Sequence, residues 1–250
     1  MENTFSKLNF GLLKGSSLDL LAVAEYLSAK ELPVTKDSVS DGVLLAEFEG
    51  MMISVALVEA QIPGDEVERA MHASLLWRDA EQPPVYQSHA LVYTSGATAL
   101  QAQTINSMVC MALIATNDVA AIYNGDAVLL IEPEIYADMV TAAFPDDEQE
   151  AQYPLMLWVN FGFIPDDRGN SVITFGLKQF GLREIEILFT SYDNETLFNF
   201  IYDIVSYVVD NNVQLQDGET IGFSEEQKLA ITVSPGTFID GESIKIELVL

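Results

Sequence analysis

Basic residues are scarce in this sequence. Its 250 residues include 11 Lys and Arg against 38 Asp and Glu, which gives a formal net charge of −27 at pH 7. Nucleic-acid binding needs a basic stripe that contacts phosphates, and anionic lipid surfaces also attract Lys and Arg. The composition therefore excludes the nucleic-acid-binding class and predicts no membrane partner.

Cysteine and histidine are scarce as well. The one cysteine, Cys110, cannot form an internal disulfide, and its apolar neighbours in 108–113 predict a small buried side chain rather than a reactive thiol. With only two histidines, His72 and His89, a zinc site would have to recruit scattered carboxylates, so we expect no metal. A signal-peptide pattern is missing and the longest apolar runs are well short of the roughly 20 residues of a membrane helix, which predicts a cytoplasmic location.

Motifs for nucleotide binding and nucleophilic catalysis are missing too. The glycines form neither a G-x-x-x-x-G-K-[ST] nor a G-x-G-x-x-G loop, and no G-x-S-x-G pentapeptide occurs. We therefore expect no cofactor and no enzymatic activity. His89, at the start of a predicted strand, leaves two interpretations open: its ring ties down a loop, or it is the general base of a hydrolase.

Hydrophobic residues, by contrast, are plentiful at 49% of the chain, and their periodicity predicts more strands than helices. Val43–Phe48 and Met51–Val58 flank Gly50 and predict a β-hairpin. Asn124-Gly125 predicts a two-residue type I′ turn that leads into a strand at Ala127–Ile131, and Leu155–Phe163 is predicted to be a strand.

Hairpins predominate in this pattern, which favours an α+β fold over a parallel, doubly wound sheet. We predict two similarly built halves, each a mainly antiparallel sheet with helices packed on one face. The acidic, proline-containing segment 144–153 is the predicted connector between an N-terminal half, 1–143, and a C-terminal half, 154–250.

The distribution of charge is more informative than any motif. Residues 79–167 contain thirteen acids and no Lys or Arg. Such a stretch predicts a negative surface that would speed association with a basic protein, although solubility alone would also explain it. The acids expected to bind the partner are Glu132, Glu134, Asp138, Asp146, Asp147, Glu148 and Glu150. The alternative is a small-molecule or peptide-binding domain, which would instead have a concave apolar pocket.

A distinctive block, T-F-G-L-K-Q-F-G-L-R-E, runs from Thr174 to Glu184, and Trp158 precedes it. This region resembles the bacterial domain of unknown function 4261 family, and softer similarities at Ile62-Pro63, Trp77 and His89 extend the resemblance over most of the chain. The block is predicted to be a packing motif, in which glycines permit the turns. Its residues, with the preceding tryptophan, are Trp158, Thr174, Gly176, Leu177, Phe180, Gly181 and Glu184.

The resemblance also bears on function, by analogy alone. It implies an occurrence near bacterial toxin and immunity proteins. By this analogy the basic partner would be a toxin, and the chain would neutralise it as an immunity protein.

Overall fold

The structure is a computed structural model that describes residues 5–79, 81–145, 152–222 and 228–248. The chain divides into two compact units, Met1–Trp158 and Val159–Leu250. Residues 146–151 of the predicted connector lie outside the described residues, so the connector itself stays a prediction. The division falls after Trp158, which places residues 154–158 in the first unit.

The first unit is built on one seven-stranded sheet with the strand order β2-β3-β4-β5-β1-β6-β7, in which every pair of neighbours is antiparallel. Its elements are β1 (Phe5–Leu13), α1 (Leu20–Ala29), β2 (Val39–Ser40), β3 (Val43–Phe48), β4 (Met51–Val58), α2 (Glu66–Ala73), β5 (Ser88–Gly96), α3 (Ala99–Thr116), β6 (Val119–Asn124), β7 (Leu129–Ile131), α4 (Pro133–Ala143) and α5 (Leu155–Trp158).

Helices pack on both faces of this sheet. α3 lies against β1 and β5, and α1 packs beside α3 on the same face. α2 packs on part of the other face, where its Ala70 and Met71 join Leu12 and Tyr123 in a buried cluster. The remainder of that second face, along β3, β4, β5 and β1, keeps partly exposed apolar side chains.

α3 is the core helix of the first unit. Thr98 caps its N-terminus in a reciprocal arrangement with Gln101. Among the described helices it alone is long and apolar enough to cross a membrane, but most of its length is buried within the protein, as for Val109 and Leu113.

The second unit contains a six-stranded sheet with the order β11-β12-β13-β10-β9-β8 and one long helix. Its elements are β8 (Asn160–Asp166), β9 (Gly169–Phe175), β10 (Ile185–Thr190), α6 (Asn194–Asp210), β11 (Thr220–Ile221), β12 (Leu229–Pro235) and β13 (Glu242–Ile246). The β10–β13 pair is parallel and the other described pairs are antiparallel. α6 packs on β9 through an apolar stripe that includes Leu197, Ile201 and Val208.

The predicted fold class is confirmed, since both units combine helices with a largely antiparallel sheet. The predicted placement of helices on one face was wrong for the first unit, because α2 covers part of the second face of its sheet. The β3–β4 hairpin is confirmed as well, and its two turn residues, Glu49 and Gly50, both have positive φ.

Two local predictions were wrong. Asn124 does not start a type I′ turn, because its Oδ1 accepts from the backbone of Ala127 and caps a 3-10 turn, so β7 begins only at Leu129. Residues 155–158 form the short helix α5 and not a strand, because a short apolar run has the same hydrophobicity in either conformation.

Candidate functional site

The Thr174–Glu184 block lies between β9 and β10. Gly176 has φ 120° and Gly181 has φ 73°, so both adopt backbone conformations that other residues rarely tolerate. Between them a single 3-10 turn buries Leu177 and Phe180. These four residues therefore shape and anchor a tight connection.

The buried side chain of Glu184 stabilises this connection through hydrogen bonds. Its carboxylate accepts hydrogen bonds from Thr174 Oγ1 at 2.7 Å and from the backbone N–H groups of Gly176, Leu177 and Lys178 at 2.9 to 3.3 Å. Burial raises the pKa of Glu184, and these hydrogen bonds only partly oppose the effect. The side chain is 3% exposed, so its hydrogen-bonding capacity is used within the protein.

Glu186 lies in β10, two residues after Glu184, and is also buried. It accepts from the backbone of Phe238 at 2.8 Å, from Ser243 Oγ at 2.6 Å and from the ammonium group of Lys245. Burial would raise the pKa of Glu186, but the hydrogen bonds from Lys245, Ser243 and the backbone N–H groups of Phe238 and Thr237 together outweigh it and hold that pKa below its usual value. Both glutamates thus organise the second unit.

Trp158, the remaining residue of the predicted motif set, belongs to the first unit. It is 1% exposed, and its indole N–H donates to Ser107 Oγ at 2.8 Å. This contact ties α5 to α3.

The acids expected to bind a partner are placed as follows. Glu134 and Asp138 are exposed one turn apart on α4. Glu132 is half-buried, accepts from the backbone N–H of Arg78 at 2.8 Å and pairs with the guanidinium of the same residue. Asp146, Asp147, Glu148 and Glu150 lie outside the described residues, so the surface as a whole stays a prediction.

Several acids of the 79–167 stretch are paired with bases from elsewhere in the chain. Asp118 pairs with Lys14, and Asp126 with Lys7. Asp166 makes a two-point contact with Arg168, just beyond the stretch. The negative surface is therefore weaker than a count along the sequence indicates.

His89 and Cys110 are both buried in the first unit. His89 is 6% exposed, its Nδ1 lies 2.8 Å from the carbonyl oxygen of Ala60, and its ring packs edge-on against Phe10. This geometry corresponds to the interpretation in which the His89 ring holds a loop in place, and not to that of a general base. Cys110 is fully buried, and burial raises the pKa of its thiol to about 11, which keeps it in the unreactive form.

Lys7 is the most unusual charged group of the first unit. Its side chain has no exposed surface, and its ammonium donates to Asn124 Oδ1 at 2.5 Å and to Asp126 Oδ2 at 3.3 Å. Burial lowers the pKa of Lys7 to about 8, although Asp126 opposes the shift. Because the side chain is enclosed, a substrate could reach it only if the sheet opened.

The surface that sequence reasoning missed is the uncovered part of the first sheet, which we call the open sheet face. Cross-strand registers align two rows on it. Leu45, Ser54, Tyr93 and Leu8 form one row, and Val43, Ala56 and Leu91 form the other, which ends at Phe10 beside the cluster under α2. Leu45 is 50% exposed and Leu8 is 36% exposed. Their neighbours Leu44, Ile53 and Val92 point to the opposite, buried face.

Exposed acids border the open sheet face. Glu47 lies in the next row, opposite Met52, and Asp41 and Glu49 lie in the turns at the two ends of β3. Residues 37–68 contain eight acids and no Lys or Arg. The same test that singled out 79–167 would have found this shorter stretch.

A second acidic surface lies in the second unit, beside α6. An open cleft of about 960 Å³ is lined by Asp203, Tyr207, Asp210 and Glu219, among others. Residues 184–227 contain ten acids and no Lys or Arg, so this surface too was visible in the sequence.

Comparison with known proteins bears on the second unit. Comparison with curated proteins gave no match, and comparison with solved structures gave none either. A family model described as Domain of unknown function (DUF4261) matches residues 173–247, a segment that includes the Thr174–Glu184 block. Trp77, His89 and Trp158 lie outside it, so the wider resemblance is not part of the match. Residues 173–247 of this chain belong to the DUF4261 family of domains of unknown function.

Proposed function

We propose that this chain is a cytoplasmic, non-enzymatic protein that binds a basic protein partner through the open sheet face of its first unit. The supporting observation is that exposed Leu8 and Leu45 lie on a sheet face bordered by the acids Asp41, Glu47 and Glu49. Protein interfaces combine an apolar centre with a polar rim in this way.

The size of the face suits the centre of an interface. Strands lie about 4.8 Å apart and same-face residues about 6.8 Å apart. The two rows of the face, together with the bordering row of Glu47 and Met52, therefore span roughly 14 Å by 14 Å across four strands. With its side chains such a face presents on the order of 300 Å² of mostly apolar surface, which is the size of functional patches on monomers. A standard interface buries about 800 Å² per partner, so the acidic rim would also be covered.

The charge of the rim determines the kind of partner. A partner that covers Asp41, Glu47 and Glu49 must offer Lys or Arg, since an acidic or neutral surface would leave those carboxylates desolvated and unpaired. Neutralisation of a basic toxin, the role expected from the sequence, would use this same surface.

Site-specific photo-cross-linking in the cells of origin tests the proposal. A photoreactive amino acid at position 45 would lie at the centre of the interface. The matched control is position 21, because Leu21 is 49% exposed but lies on α1, on the opposite face of the sheet. We expect position 45 to capture one protein with a pI above about 9 and position 21 to capture none.

Two results would overturn the proposal. One is capture of an acidic or neutral protein at position 45. The other is equal capture at positions 45 and 21, which would indicate nonspecific contact.

A further inference from the structure

A cavity of about 250 Å³ lies where α1, α3 and α4 meet in the first unit. α1 contributes Tyr26, Leu27 and Lys30, and α3 contributes Met108 and Met111. Val140 and Thr141 of α4, with Phe144 and Pro145 beyond it, complete the lining. The cavity lies against the helices, on the side of the sheet opposite the open sheet face.

The residues that line the cavity determine which class of molecule can bind in it. Leu27, Val140 and Phe144 offer apolar surface, and the two methionines are flexible side chains that adapt to a ligand's shape. The hydrogen-bonding groups are few: the hydroxyls of Tyr26 and Thr141 and the ammonium of Lys30. A lining that is more apolar than polar and offers a few hydrogen-bonding groups is compatible with a small-molecule site.

The charge of the protein restricts the class of ligand further. The chain carries a net charge of −27, which disfavours an anion. A cation would lose its hydration on entering a site with so few hydrogen-bonding groups, which disfavours a cation as well. An uncharged ligand avoids both costs, and its one polar group can bond to a hydroxyl of the lining.

We infer that this cavity binds a small, uncharged, mostly apolar molecule of about 10 non-hydrogen atoms that carries one hydroxyl or carbonyl group. The size follows from the volume, since an apolar cavity of about 150 Å³ holds benzene. This cavity is where the small molecule of the alternative prediction from the sequence would bind. The inference does not depend on the proposed protein partner.

Methyl NMR of the full chain with labelled methionines tests this inference, with 1-decanol as the probe. The chain has eight methionines. Met108 and Met111 line the cavity, whereas Met52 lies in the row that borders the open sheet face, on the other side of the sheet, and is the internal control. We expect saturable shifts at Met108 and Met111 and none at Met52.

Two matched probes and one variant complete the experiment. Decanoate and decylamine should bind at least ten-fold more weakly than decanol, and Met108→Trp, which fills the cavity, should weaken decanol binding at least ten-fold. Because the unsubstituted chain gives the primary result, a poorly folded variant would not obscure it. Shifts that do not saturate, shifts centred on Met52, or equal affinity for decanoate would overturn the inference.

Discussion

Glu184 and Glu186 lie two residues apart and bury their carboxylates among different donors: those of Glu184 are neutral, whereas those of Glu186 include the ammonium of Lys245. Their pKa values are displaced in opposite directions: burial raises the pKa of Glu184 because its neutral donors only partly oppose the effect, whereas the hydrogen bonds to Glu186, which include that of Lys245, outweigh burial and lower its pKa.

The first prediction concerns the pH dependence of the second unit. A carboxyl whose pKa is lowered by folding adds stability above its unfolded pKa of about 4.3, and that stability is lost as the pH falls through the folded value. Glu186→Gln should therefore remove part of the acid sensitivity of unfolding. For Glu184 the sign is reversed: stability falls as the pH rises from about 4.3 towards its raised folded pKa, and Glu184→Gln should flatten that fall.

Hydrogen exchange of residues 171–189, measured by mass spectrometry between pH 3 and 7, separates these effects. It is the suitable readout because both tryptophans, Trp77 and Trp158, lie in the first unit and report only on it. Identical pH profiles for the two variants would contradict the opposite pKa shifts of Glu184 and Glu186.

The second prediction concerns the donors around Glu184. Glu184→Ala leaves Thr174 Oγ1 and three backbone N–H groups without their acceptor in a buried site, which should cost about 3 kcal/mol of unfolding free energy in the second unit. Thr174→Val should cost less, about 1 to 2 kcal/mol, because it leaves only the backbone N–H of Ile185 without its acceptor, whereas the hydroxyl donor to Glu184 disappears together with its need for a partner. Equal costs for the two substitutions, measured by denaturant-dependent hydrogen exchange, would argue against this network.

The third prediction concerns Gly181. Its φ of 73° is unfavourable for alanine, so Gly181→Ala should lower stability by about 1 kcal/mol. Gly15→Ala is the matched control, because a Cβ there would contact nothing within 4 Å. If the melting temperature were unchanged by Gly181→Ala while a binding activity disappeared, the block would be a binding site rather than a packing motif.

The fourth prediction concerns Lys7. Folding lowers the pKa of this lysine to about 8, so the unfolded chain binds more protons than the folded one from pH 8 to 10. Stability conferred by Lys7 should therefore rise by about 2 kcal/mol over that range, relative to Lys7→Met. The comparison with Lys7→Met is needed because Cys110 and Tyr123, whose pKa values are raised to about 11 and about 12, act in the opposite direction at high pH.

Tryptophan fluorescence during urea unfolding measures this directly, since both tryptophans belong to the first unit. Lys14→Met is the control, because Lys14 is exposed and pairs with Asp118 at the surface. A difference between wild type and Lys7→Met that stayed constant from pH 8 to 10 would contradict the lowered pKa.

Local patterns predicted the elements whose causes are local. The β3–β4 hairpin follows from two strand-like runs around Gly50, and α6 follows from an apolar stripe with helical spacing. The fold class follows from the predominance of hairpins. The start of α5 could not be predicted in this way, because its conformation depends on burial of Trp158 against Ser107 of a distant helix.

The candidate site was harder to predict because it depends on contacts between distant residues. A count along 79–167 treats Asp118 and Asp126 as free charges, whereas folding brings Lys14 and Lys7, more than a hundred positions earlier, to them. The open sheet face also arises only when the strands and helices pack together in the folded chain. Each strand alone predicts one apolar face, and only the arrangement of α2 and α3 determines which part stays uncovered.

The affinity of the purified partner captured at position 45 is the most direct test of the proposed function. We expect the double substitution Leu8→Ser and Leu45→Ser to raise Kd at least 30-fold, because it removes the most exposed apolar side chains of the open sheet face. Leu21→Ser, at an equally exposed position on α1, should leave Kd within two-fold of wild type. If the double substitution left Kd unchanged, or if Leu21→Ser weakened binding as much, the open sheet face would not be the binding surface.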